Sequence, residues 1–402
     1  MHVLILSQIF PPDMGGSATR AYNVAKGLIL NNVNVTVVAG FPHYPTGNVP
    51  KYLRKKALSI EYMEGFKVIR TYVPPIPAKG LANRMILFAS FIISSIFPIF
   101  LVRKVDAVFA SNPQVLATFP ALIYKICYRC PIVLNVDDLW PEDPVDIGAI
   151  RSRFMKGLAE ILAKMAYKIA DMITPISPGY TKVIVGKYRI PGCKIHVVRG
   201  GVNISKFKPM PSKNDGKFTV LYSGAFSVAY DFDQVLKAAE ILEKYEDVEI
   251  ILQGGGELLN YVKQRVAKMK LKNVKIIDKI FSREEVAKLT GDADALLLPL
   301  RDFGRPYLGI SSKLYEYQAV RKPVICCAKG QPAEYVKETC SGIVVKPGDY
   351  EALAKAILYL KNNPDLAREL GDFGRKYVED NLSLEKVGKK IKTVFANVLL
   401  YE

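Results

Sequence analysis

Short apolar runs alternate with amphipathic stretches along most of the 402-residue chain. The first half contains HVLIL, VTVVA, KVIRTYV, DAVFA, PIVLNV, DMITPI and KIHVV. The second half contains FTVLYSG, VEIILQGG, VKIID, DALLLPL, PVICCA and GIVV. Buried strands that alternate with helices are typical of parallel sheets covered by helices on both faces. The pattern therefore predicts an α/β fold with Rossmann-like, doubly wound sheets.

A segment rich in Gly, Pro, Ser and Lys, residues 200–217, separates the two series of runs. Its position predicts a first Rossmann-like domain over residues 1–205 and a second over 206–380. The helical pattern over 381–402 has no strand after it and is expected to pack across the domain junction. Because ligands of such sheets bind at the carboxyl ends of the strands, we expect a binding cleft between the domains.

One uncharged stretch, Met85 to Val102, departs from the alternation and has Arg84, Arg103 and Lys104 at its ends. Its length would suit a transmembrane helix. A single span, however, would place strands of one sheet on opposite sides of a bilayer. Two interpretations of residues 81–104 remain, namely a buried helix of the first domain and a helix half-submerged in a membrane interface, which we favour. We expect Pro98 to end or kink the helix.

The chain carries 56 Lys and Arg against 38 Asp and Glu, a formal net charge of +18. This charge favours polyanionic partners, which are nucleic acid, anionic lipid or phosphorylated small molecules. The basic residues are dispersed and no nucleic-acid-binding motif accompanies them, so no nucleic acid is expected. The opening MHVLILSQIFPPD lacks a basic leader, so we expect a cytoplasmic protein, peripheral on the inner face of the cell membrane.

Three glycine-containing turns follow predicted strands directly, in PPDMGGSATR, YSGAFS and LQGGGELL. Glycine lets backbone N–H groups approach an anion at a helix start, where the helix dipole favours negative charge. The candidate phosphate-binding glycines are Gly15, Gly16, Gly224, Gly254 and Gly255. No turn has the order Gly-x-Gly-x-x-Gly, which argues against a nicotinamide-dependent dehydrogenase.

The segment GISSKLYEYQAVRKPVI, residues 309–325, begins a predicted helix with an unusual pair of charges. If Ser312 caps this helix, Lys313 opposes the helix dipole in the first turn, and Glu316 lies on the same face. A capping box would need an acid where Tyr315 stands. An anion at the helix start would explain both charges. A surface salt bridge between them, contributing about 0.2–0.5 kcal/mol, is the alternative.

Together the blocks PPDMGGSATR, PHYPTGNV, VLNVDDLWPED, RGGVNISKFKP, LQGGGE and GISSKLYEYQAVRKPVI resemble the retaining glycosyltransferases of family 4 over nearly the whole chain. The likeness is greatest to the subgroup that builds O-antigen, capsule and related surface glycans, including N-acetylfucosamine transferases. It implies a GT-B fold. It also implies transfer of a hexosyl or N-acetylhexosaminyl group from a nucleotide diphosphate sugar to a surface glycan, which we expect to be lipid-linked.

The resemblance also implies roles for individual residues. Donor binding falls to Gly15, Gly16, Gly224, Gly254, Gly255, Ile280, Ser311, Ser312, Lys313 and Glu316. Catalytic roles fall to Lys313, Glu316 and Asp137, and acceptor-side roles to Asp138 and His43. A donor phosphate oxygen would take the acceptor proton, so the resemblance implies no metal, no cofactor and no dedicated protein base. Lys313 would stabilise the departing diphosphate.

The sequence departs from the family pattern at several positions. The first glutamate of the family motif is replaced by Leu308, a frequent histidine by Asp137, and a basic pair is missing from GAFSVAYDFD. A catalytically silent partner protein and a nucleotide-sugar 2-epimerase on the same fold therefore stay open as alternatives. Carboxylates near Asp137 also leave open a divalent metal site or a helix cap; they are Asp137, Asp138, Glu142, Asp143 and Asp146.

Overall fold

The computed structural model describes residues 1–146, 148, 150–211 and 216–400. By its internal contacts the chain divides into unit 1, Met1–Gly201 with Leu384–Glu402, and unit 2, Val202–Ser383. The division at Gly201 lies close to the boundary expected at residue 205. The last helix belongs to unit 1 rather than forming a segment of its own.

Unit 1 is built on a seven-stranded sheet with the order β3-β4-β2-β1-β5-β6-β7. Its strands are β1 His2–Ser7, β2 Asn34–Gly40, β3 Leu58–Met63, β4 Phe66–Thr71, β5 Ala107–Asn112, β6 Ile132–Val136 and β7 Met172–Pro175. All neighbouring strands are parallel except β3 and β4. The apolar runs occupy the buried central strands, as the hydrophobic pattern predicts for a sheet covered on both faces.

Helices cover both faces of this sheet. They are α1 Gly16–Leu30, α2 Gly80–Ser94, α3 Thr118–Tyr128, α4 Glu142–Asp146, α5 Arg153–Ile169 and α6 Pro178–Gly186. The crossover through α1 runs one way along the sheet, whereas those through α2, α3 and α5 run the other way. Because such crossovers are right-handed, α1 lies on one face and the other three lie on the opposite face. The chain-terminal helix α14, Leu384–Leu400, packs beside α1.

Two features of this sheet differ from the hydrophobic pattern. Strand β3 escapes prediction because it is an edge strand with no fully buried position, joined to β4 by a tight turn at Glu64 and Gly65. The run KIHVV, expected to be a strand, forms an isolated bridge between Ile195 and Ile173 of β7 and one further hydrogen bond, from the Val198 N–H to the Pro175 carbonyl, but it is not a strand. β7 ends at Pro175, which has no N–H to continue a ladder.

Unit 2 contains a six-stranded, wholly parallel sheet with the order β10-β9-β8-β11-β12-β13. Its strands are β8 Phe218–Ser223, β9 Val248–Gln253, β10 Val274–Ile277, β11 Ala295–Pro299, β12 Val324–Cys327 and β13 Gly342–Val345. Its helices are α7 Phe232–Leu242, α8 Leu259–Met269, α9 Arg283–Asp292, α10 Ser312–Ala319, α11 Gln331–Glu338, α12 Tyr350–Asn362 and α13 Pro364–Asn381. Each of the six apolar runs predicted for this half of the chain forms a strand.

The uncharged stretch forms α2 and a following 3₁₀ helix, Phe97–Phe100, which includes Pro98. From Gly80 to Phe100 it is long and apolar enough to cross a membrane, but β4 before it and β5 after it belong to one sheet. Leu87 and Phe91 pack into a small apolar cluster. Only 22% of the apolar window is buried, so burial in the core accounts for one face of the helix.

The contact between α1 and α14 generates a prediction about stability. A Cβ atom at Gly388 would overlap the backbone of Gly27, and one at Gly27 would overlap the Leu384 carbonyl. We expect Gly388→Ala to destabilise the protein by about 1–3 kcal/mol, because helix backbones cannot separate without losing packing. Urea unfolding monitored by circular dichroism measures the change.

The matched control is Gly157→Ala in the second turn of α5, where a Cβ atom would meet nothing within 4 Å. This variant should gain about 0.5–1 kcal/mol, because alanine restricts the unfolded chain more than glycine does. Equal stability of the two variants would contradict the close packing of α1 against α14.

Candidate active site

Two glycine loops of unit 2 lie against each other where β8 and β9 end. Gly224 and Gly254 both have positive φ, +152° and +139°, which other residues rarely adopt. A Cβ atom at Gly254 would overlap the Gly224 carbonyl, and one at Gly256 would overlap the backbone of Phe226. Glycine is therefore required at these turns for steric reasons, and the first residue after each strand carries no side chain.

Lys313 extends from the first turn of α10 into this glycine-lined region. Its Nζ donates a hydrogen bond of 2.9 Å to the Ser223 carbonyl and lies 5.6 Å from the ring centroid of Tyr222. A Cβ atom at Gly224 would overlap Nζ itself. The structure thus brings Lys313, Gly224 and Gly254 together, and a half-buried ammonium group lies directly over the predicted phosphate-binding turn.

The start of α10 differs from the predicted cap by one residue. Ser311, with extended backbone angles, is the N-cap, and Ser312 is the first helical residue, so the assignment of the cap to Ser312 is wrong. Among the described residues the Ser311 hydroxyl makes no capping hydrogen bond. By contrast, α9 carries a complete capping box between Ser282 and Glu285. The first N–H groups of α10 are thus left without a side-chain cap, beside Lys313.

Glu316 does not form the alternative salt bridge with Lys313 and is not a surface residue. It is buried, and its carboxylate receives two hydrogen bonds from the Arg283 guanidinium, at 2.5 Å and 3.3 Å. Arg283, 41% exposed, stacks over the ring of Phe207 at 4.9 Å. The bidentate geometry fixes the carboxylate at the start of α9. Burial of Glu316 is possible because Arg283 supplies the opposite charge.

Ile280 lies in the loop after β10, where it is exposed. A Cβ atom at Gly255 would lie 3.6 Å from its Cγ1, so these two predicted donor-binding residues are adjacent. Gln253 holds the loop in place, because its side-chain N–H donates to the Lys279 carbonyl at 2.6 Å. The Ser223 hydroxyl donates in turn to the Gln253 side-chain oxygen at 2.6 Å. The ends of β8, β9 and β10 are thereby joined by one buried amide.

In unit 1, the loops after β1 and β2 meet at Asp13. Its carboxylate accepts hydrogen bonds from the backbone N–H groups of His43 and Tyr44, at 2.9 Å and 3.0 Å. Burial raises the pKa of Asp13 to about 6 and lowers that of His43. Gly15, with φ +129°, adjoins the Tyr44 ring, and a Cβ atom at Gly16 would meet nothing within 4 Å. Gly15, Gly16 and His43 thus lie near one another at the carboxyl edge of the sheet.

Asp137 follows β6 and is nearly buried beside Arg20 and Asn135. The Asn135 amide donates to its Oδ1 at 2.8 Å, and Arg20 Nε lies 3.5 Å from the same oxygen. Arg20 also donates to the carbonyls of Val198 and Arg199. Burial raises the pKa of Asp137 to about 6, although the Arg20 charge opposes the rise. This carboxylate therefore changes protonation at about pH 6, above the usual range of an aspartate.

The other carboxylates of the predicted acidic cluster point to different partners. Glu142 accepts from Lys187 at 2.7 Å and from the Tyr188 hydroxyl at 2.6 Å. Asp143 accepts from the Leu139 N–H, and Asp138 is exposed. The side chain of Asp146 lies outside the described residues. Within the described part of the chain no group of three or more His, Cys, Asp or Glu side chains could hold a metal ion.

Sequence reasoning missed the residues that hold the candidates in place, which are Arg283, Gln253, Asp13 and Arg20. Ser282 and Glu285 do carry the pattern of a capping box, which predicts that α9 begins at Arg283. No pattern pairs Arg283 with a carboxylate 33 positions later. Arg20 stands within the quoted block PPDMGGSATR, but its partners come from β6 and from the segment after β7.

Comparison with known proteins gives two family models on consecutive parts of the chain. Glycosyltransferase Family 4 matches residues 14–206, and Glycosyl transferases group 1 matches residues 203–377. One relative is the MMP alpha-(1->4)-mannosyltransferase of Mycolicibacterium hassiacum, 23% identical over 60% of this chain and 58% of its own. Another is the capsular polysaccharide biosynthesis glycosyltransferase CapM of Staphylococcus aureus, 23% identical over 60% of this chain and 65% of its own.

The alignments thus span less than two thirds of the length of these curated relatives. Among solved structures, Anabaena HepE in complex with UDP and glucose superposes with a TM-score of 0.70 at 15% identity, covering 98% of this chain and 99% of its own. At 15% identity this superposition is evidence for the fold alone. The GT-B fold of such proteins agrees with the two parallel-sheet units of this chain. The chain therefore has the GT-B fold and belongs with the family 4-like glycosyltransferases, as a family 4 domain followed by a group 1 domain.

Proposed function

We propose that the protein is a retaining glycosyltransferase that moves a sugar from a nucleotide diphosphate sugar to a lipid-linked surface glycan. The observation that carries the proposal is the position of Lys313 Nζ, over the Gly224 turn and beside the uncapped start of α10. An ammonium group, glycine-exposed backbone and free helix N–H groups are the features that bind a diphosphate. The likeness to CapM supports a surface polysaccharide as the product.

The proposed chemistry needs little from the protein besides charge. When the bond between the sugar and the diphosphate breaks, negative charge develops on the departing phosphate oxygens. Lys313 and the start of α10 would stabilise that charge without reorganisation, because both are already fixed by the fold. In the retaining reaction a phosphate oxygen accepts the proton of the incoming hydroxyl, so neither a metal nor a protein base is required.

Glu316 would accept hydrogen bonds from the ribose hydroxyls while keeping its contact with Arg283. A carboxylate has about four acceptor positions, and Arg283 uses two of them. Ile280 and Gly255 would face the base, since they adjoin each other in the loop after β10. Asp137 and His43 would face the acceptor side. In the ionised form Asp137 has one further acceptor, Oδ2, which is buried and has no hydrogen-bond partner among the described residues.

We further propose that α2 attaches the protein to the cytoplasmic face of the cell membrane. Ile86, Ile93 and Phe100 are exposed on its outer side and that of the 3₁₀ helix. A loop of basic residues lies next to it, since Val49 and Leu53 pack against Leu87. This loop contributes the exposed cations Lys51, Arg54, Lys55 and Lys56. An apolar helix bordered by cations suits the interface of an anionic bilayer.

Thermal-shift measurements against a panel of nucleotides and nucleotide sugars test the proposed function. One nucleoside diphosphate and the corresponding nucleotide sugar should raise the melting temperature of the protein. The protein should then transfer the sugar of that donor to a glycan acceptor. A catalytically silent partner protein would show no turnover with any donor. A 2-epimerase would convert the sugar nucleotide without an acceptor, which nuclear magnetic resonance of the sugar detects directly.

Substitutions at the start of α10 should distinguish the contacts made to the diphosphate from those made to the nucleoside. Lys313→Ala should weaken diphosphate binding by about 1.5–3 kcal/mol, the contribution of a charge-assisted hydrogen bond, and leave nucleoside binding unchanged. Glu316→Gln should weaken nucleoside and nucleotide binding alike, because both contain the ribose. Titration calorimetry of each variant with nucleoside, nucleotide diphosphate and nucleotide sugar measures these differences.

The control for Glu316 is Arg283→Gln, which breaks the same ion pair but keeps the carboxylate. Both variants should lower the melting temperature, because each leaves one charge of the pair without its partner. Only Glu316→Gln should lose nucleoside affinity. Equal losses in the two variants would show that Glu316 serves the structure of α10 and does not bind ribose.

The pKa of Asp137 predicts an acid limb in the pH profile of transfer. Since burial raises its pKa to about 6, the carboxylate is ionised mainly above that pH, and kcat/KM should fall as pH decreases through about 6. Asp137→Asn should have lower activity without this limb. Asp13 has a similar pKa, so Asp13→Asn is the control and should retain the limb. If Asp13→Asn alone lost the acid limb, the limb would be assigned to Asp13 and its contact with the loop after β2.

Metal independence is tested by chelation. Transfer should proceed at an unchanged rate in excess EDTA, because a lysine and helix N–H groups provide the positive charge that a metal would otherwise supply. Initial rates with EDTA, with Mg²⁺ and with Mn²⁺ are to be compared. Loss of turnover in EDTA that Mg²⁺ restores would instead indicate a metal held between the donor diphosphate and the protein.

A further inference from the structure

Helix α5 presents an apolar stripe to solvent. Phe154 and Ile161 are 78% and 59% exposed, and Leu158 and Met165 are exposed as well. Their spacing of four, three and four residues places all four on one side of the helix. The opposite side consists of buried small residues and Tyr167; the small ones are Ala159, Ala163 and Ala166. The exposed stripe is therefore not needed to pack α5 against the sheet.

The charges of α5 are almost all positive. Arg153, Lys164 and Lys168 are exposed and lie along one border of the apolar stripe by helical periodicity. The one acid of this helix, Glu160, is bound to Lys187 at 2.7 Å. An apolar stripe bordered by cations is the pattern of a helix that lies in the plane of an anionic membrane interface.

The stripe belongs to the same face of unit 1 as α2. Helix α3 lies between them and packs against both. Its Tyr124 hydroxyl donates to the Ser95 carbonyl at 2.7 Å, and its Tyr128 hydroxyl donates to the Ile99 carbonyl at 2.6 Å. On its outer side Ile126 is 65% exposed. Three neighbouring helices therefore expose apolar side chains in one direction, away from the sheet.

Charge decides between the two occupants that an apolar face can have. A second copy related by twofold symmetry would bring the same cations together across the interface, which is repulsive. The cations that border this face are Arg84, Arg103, Lys104, Arg129, Arg153, Lys164 and Lys168. No acid occurs between Gly80 and Lys104, and the one acid of α5, Glu160, is bound to Lys187. Anionic lipid headgroups supply the complementary charge.

We propose that α2, α3 and α5 together form one membrane-docking surface, in which α5 lies flat in the headgroup region of an anionic bilayer. The inference extends the proposed contact of α2 and rests on it. Two helices in the plane of the interface set the orientation of unit 1, because a single helix would let the unit roll about its axis. The sheet then lies parallel to the bilayer, and its carboxyl edge, with His43 and Asp137, opens sideways at headgroup level.

Vesicle binding of the full chain tests the surface. Sedimentation with phosphatidylcholine vesicles, with and without phosphatidylglycerol, is measured for the wild type and three variants. Phe154→Glu/Ile161→Glu alters α5, Ile86→Glu/Ile93→Glu alters α2, and Leu30→Glu on α1 is the control from the opposite face, where Leu30 is exposed. We expect the α5 and α2 pairs each to weaken binding to anionic vesicles by about tenfold or more, and Leu30→Glu to have no effect.

A second measurement does not depend on loss of binding. In Phe154→Trp, lipids brominated in the upper acyl chain should quench the fluorescence of the new indole. The quenching should be stronger than that of Trp140, which is buried in the wild type. Absence of added quenching, or full vesicle binding by the α5 variant when the α2 variant has lost it, would overturn the role of α5 and leave the α2 contact in place.

Failure of the wild type to bind vesicles would overturn both membrane contacts. It would leave the enzymatic proposal untouched, because the thermal-shift assay tests nucleotide binding independently of any membrane. A dimer in sedimentation velocity that the α5 changes dissociate would assign the stripe to a second copy instead and would likewise overturn the inference. Melting curves of all variants accompany the measurements, since every substituted side chain is exposed and none should unfold the protein.

Discussion

A parallel sheet places the carboxyl end of every strand along one edge, and the candidate site of each unit depends on this constraint. In unit 1 the loops after β1, β2 and β6 bring Gly15, His43 and Asp137 to the same edge. In unit 2 the loops after β8 and β9 bring Gly224 and Gly254 to theirs. The candidate residues come from distant parts of the sequence, and the parallel pairing of the strands brings them to one edge of each sheet.

Within unit 2, the electrostatic arrangement separates two charges that are close in sequence. Lys313 reaches the strand ends, whereas Glu316 turns to the start of α9, because Ser223 and Arg283 offer each its partner. A buried carboxylate without a partner would be costly, so Arg283 supplies the opposite charge and orients the Glu316 side chain before any ligand arrives. Among the described residues the ammonium group of Lys313 has one hydrogen-bond acceptor, the Ser223 carbonyl, and lies over the Tyr222 ring. A phosphate can therefore replace that carbonyl as its partner with little rearrangement.

The sequence was sufficient for the elements with strong local signals and insufficient for contacts made across the fold. Buried strands are recognisable as apolar runs, and the glycine turns expected directly after two of them are found at Gly224 and Gly254. Phosphate binding by these glycines stays a prediction. Edge strand β3 lacks a buried position, so hydrophobicity could not reveal it. The pairing of Arg283 with Glu316 depends on how α9 and α10 lie in space, which no local pattern encodes. The N-cap at Ser311 was missed because two adjacent serines are equally suitable by residue type.

The packing of α14 on α1 also affects how the chain folds as it is made. Helix α1, whose buried residues include Val24 and Leu28, packs against α14, which follows the whole of unit 2 in the chain. Phe109 of β5 likewise contacts Phe395 of α14, with ring centroids 6.2 Å apart. During synthesis these apolar surfaces leave the ribosome long before their partner does, and exposed apolar surface in a partly folded chain promotes aggregation. Unit 1 can complete its core only after unit 2 has been translated, so a chaperone that shields α1 in the interval would raise the yield of folded protein.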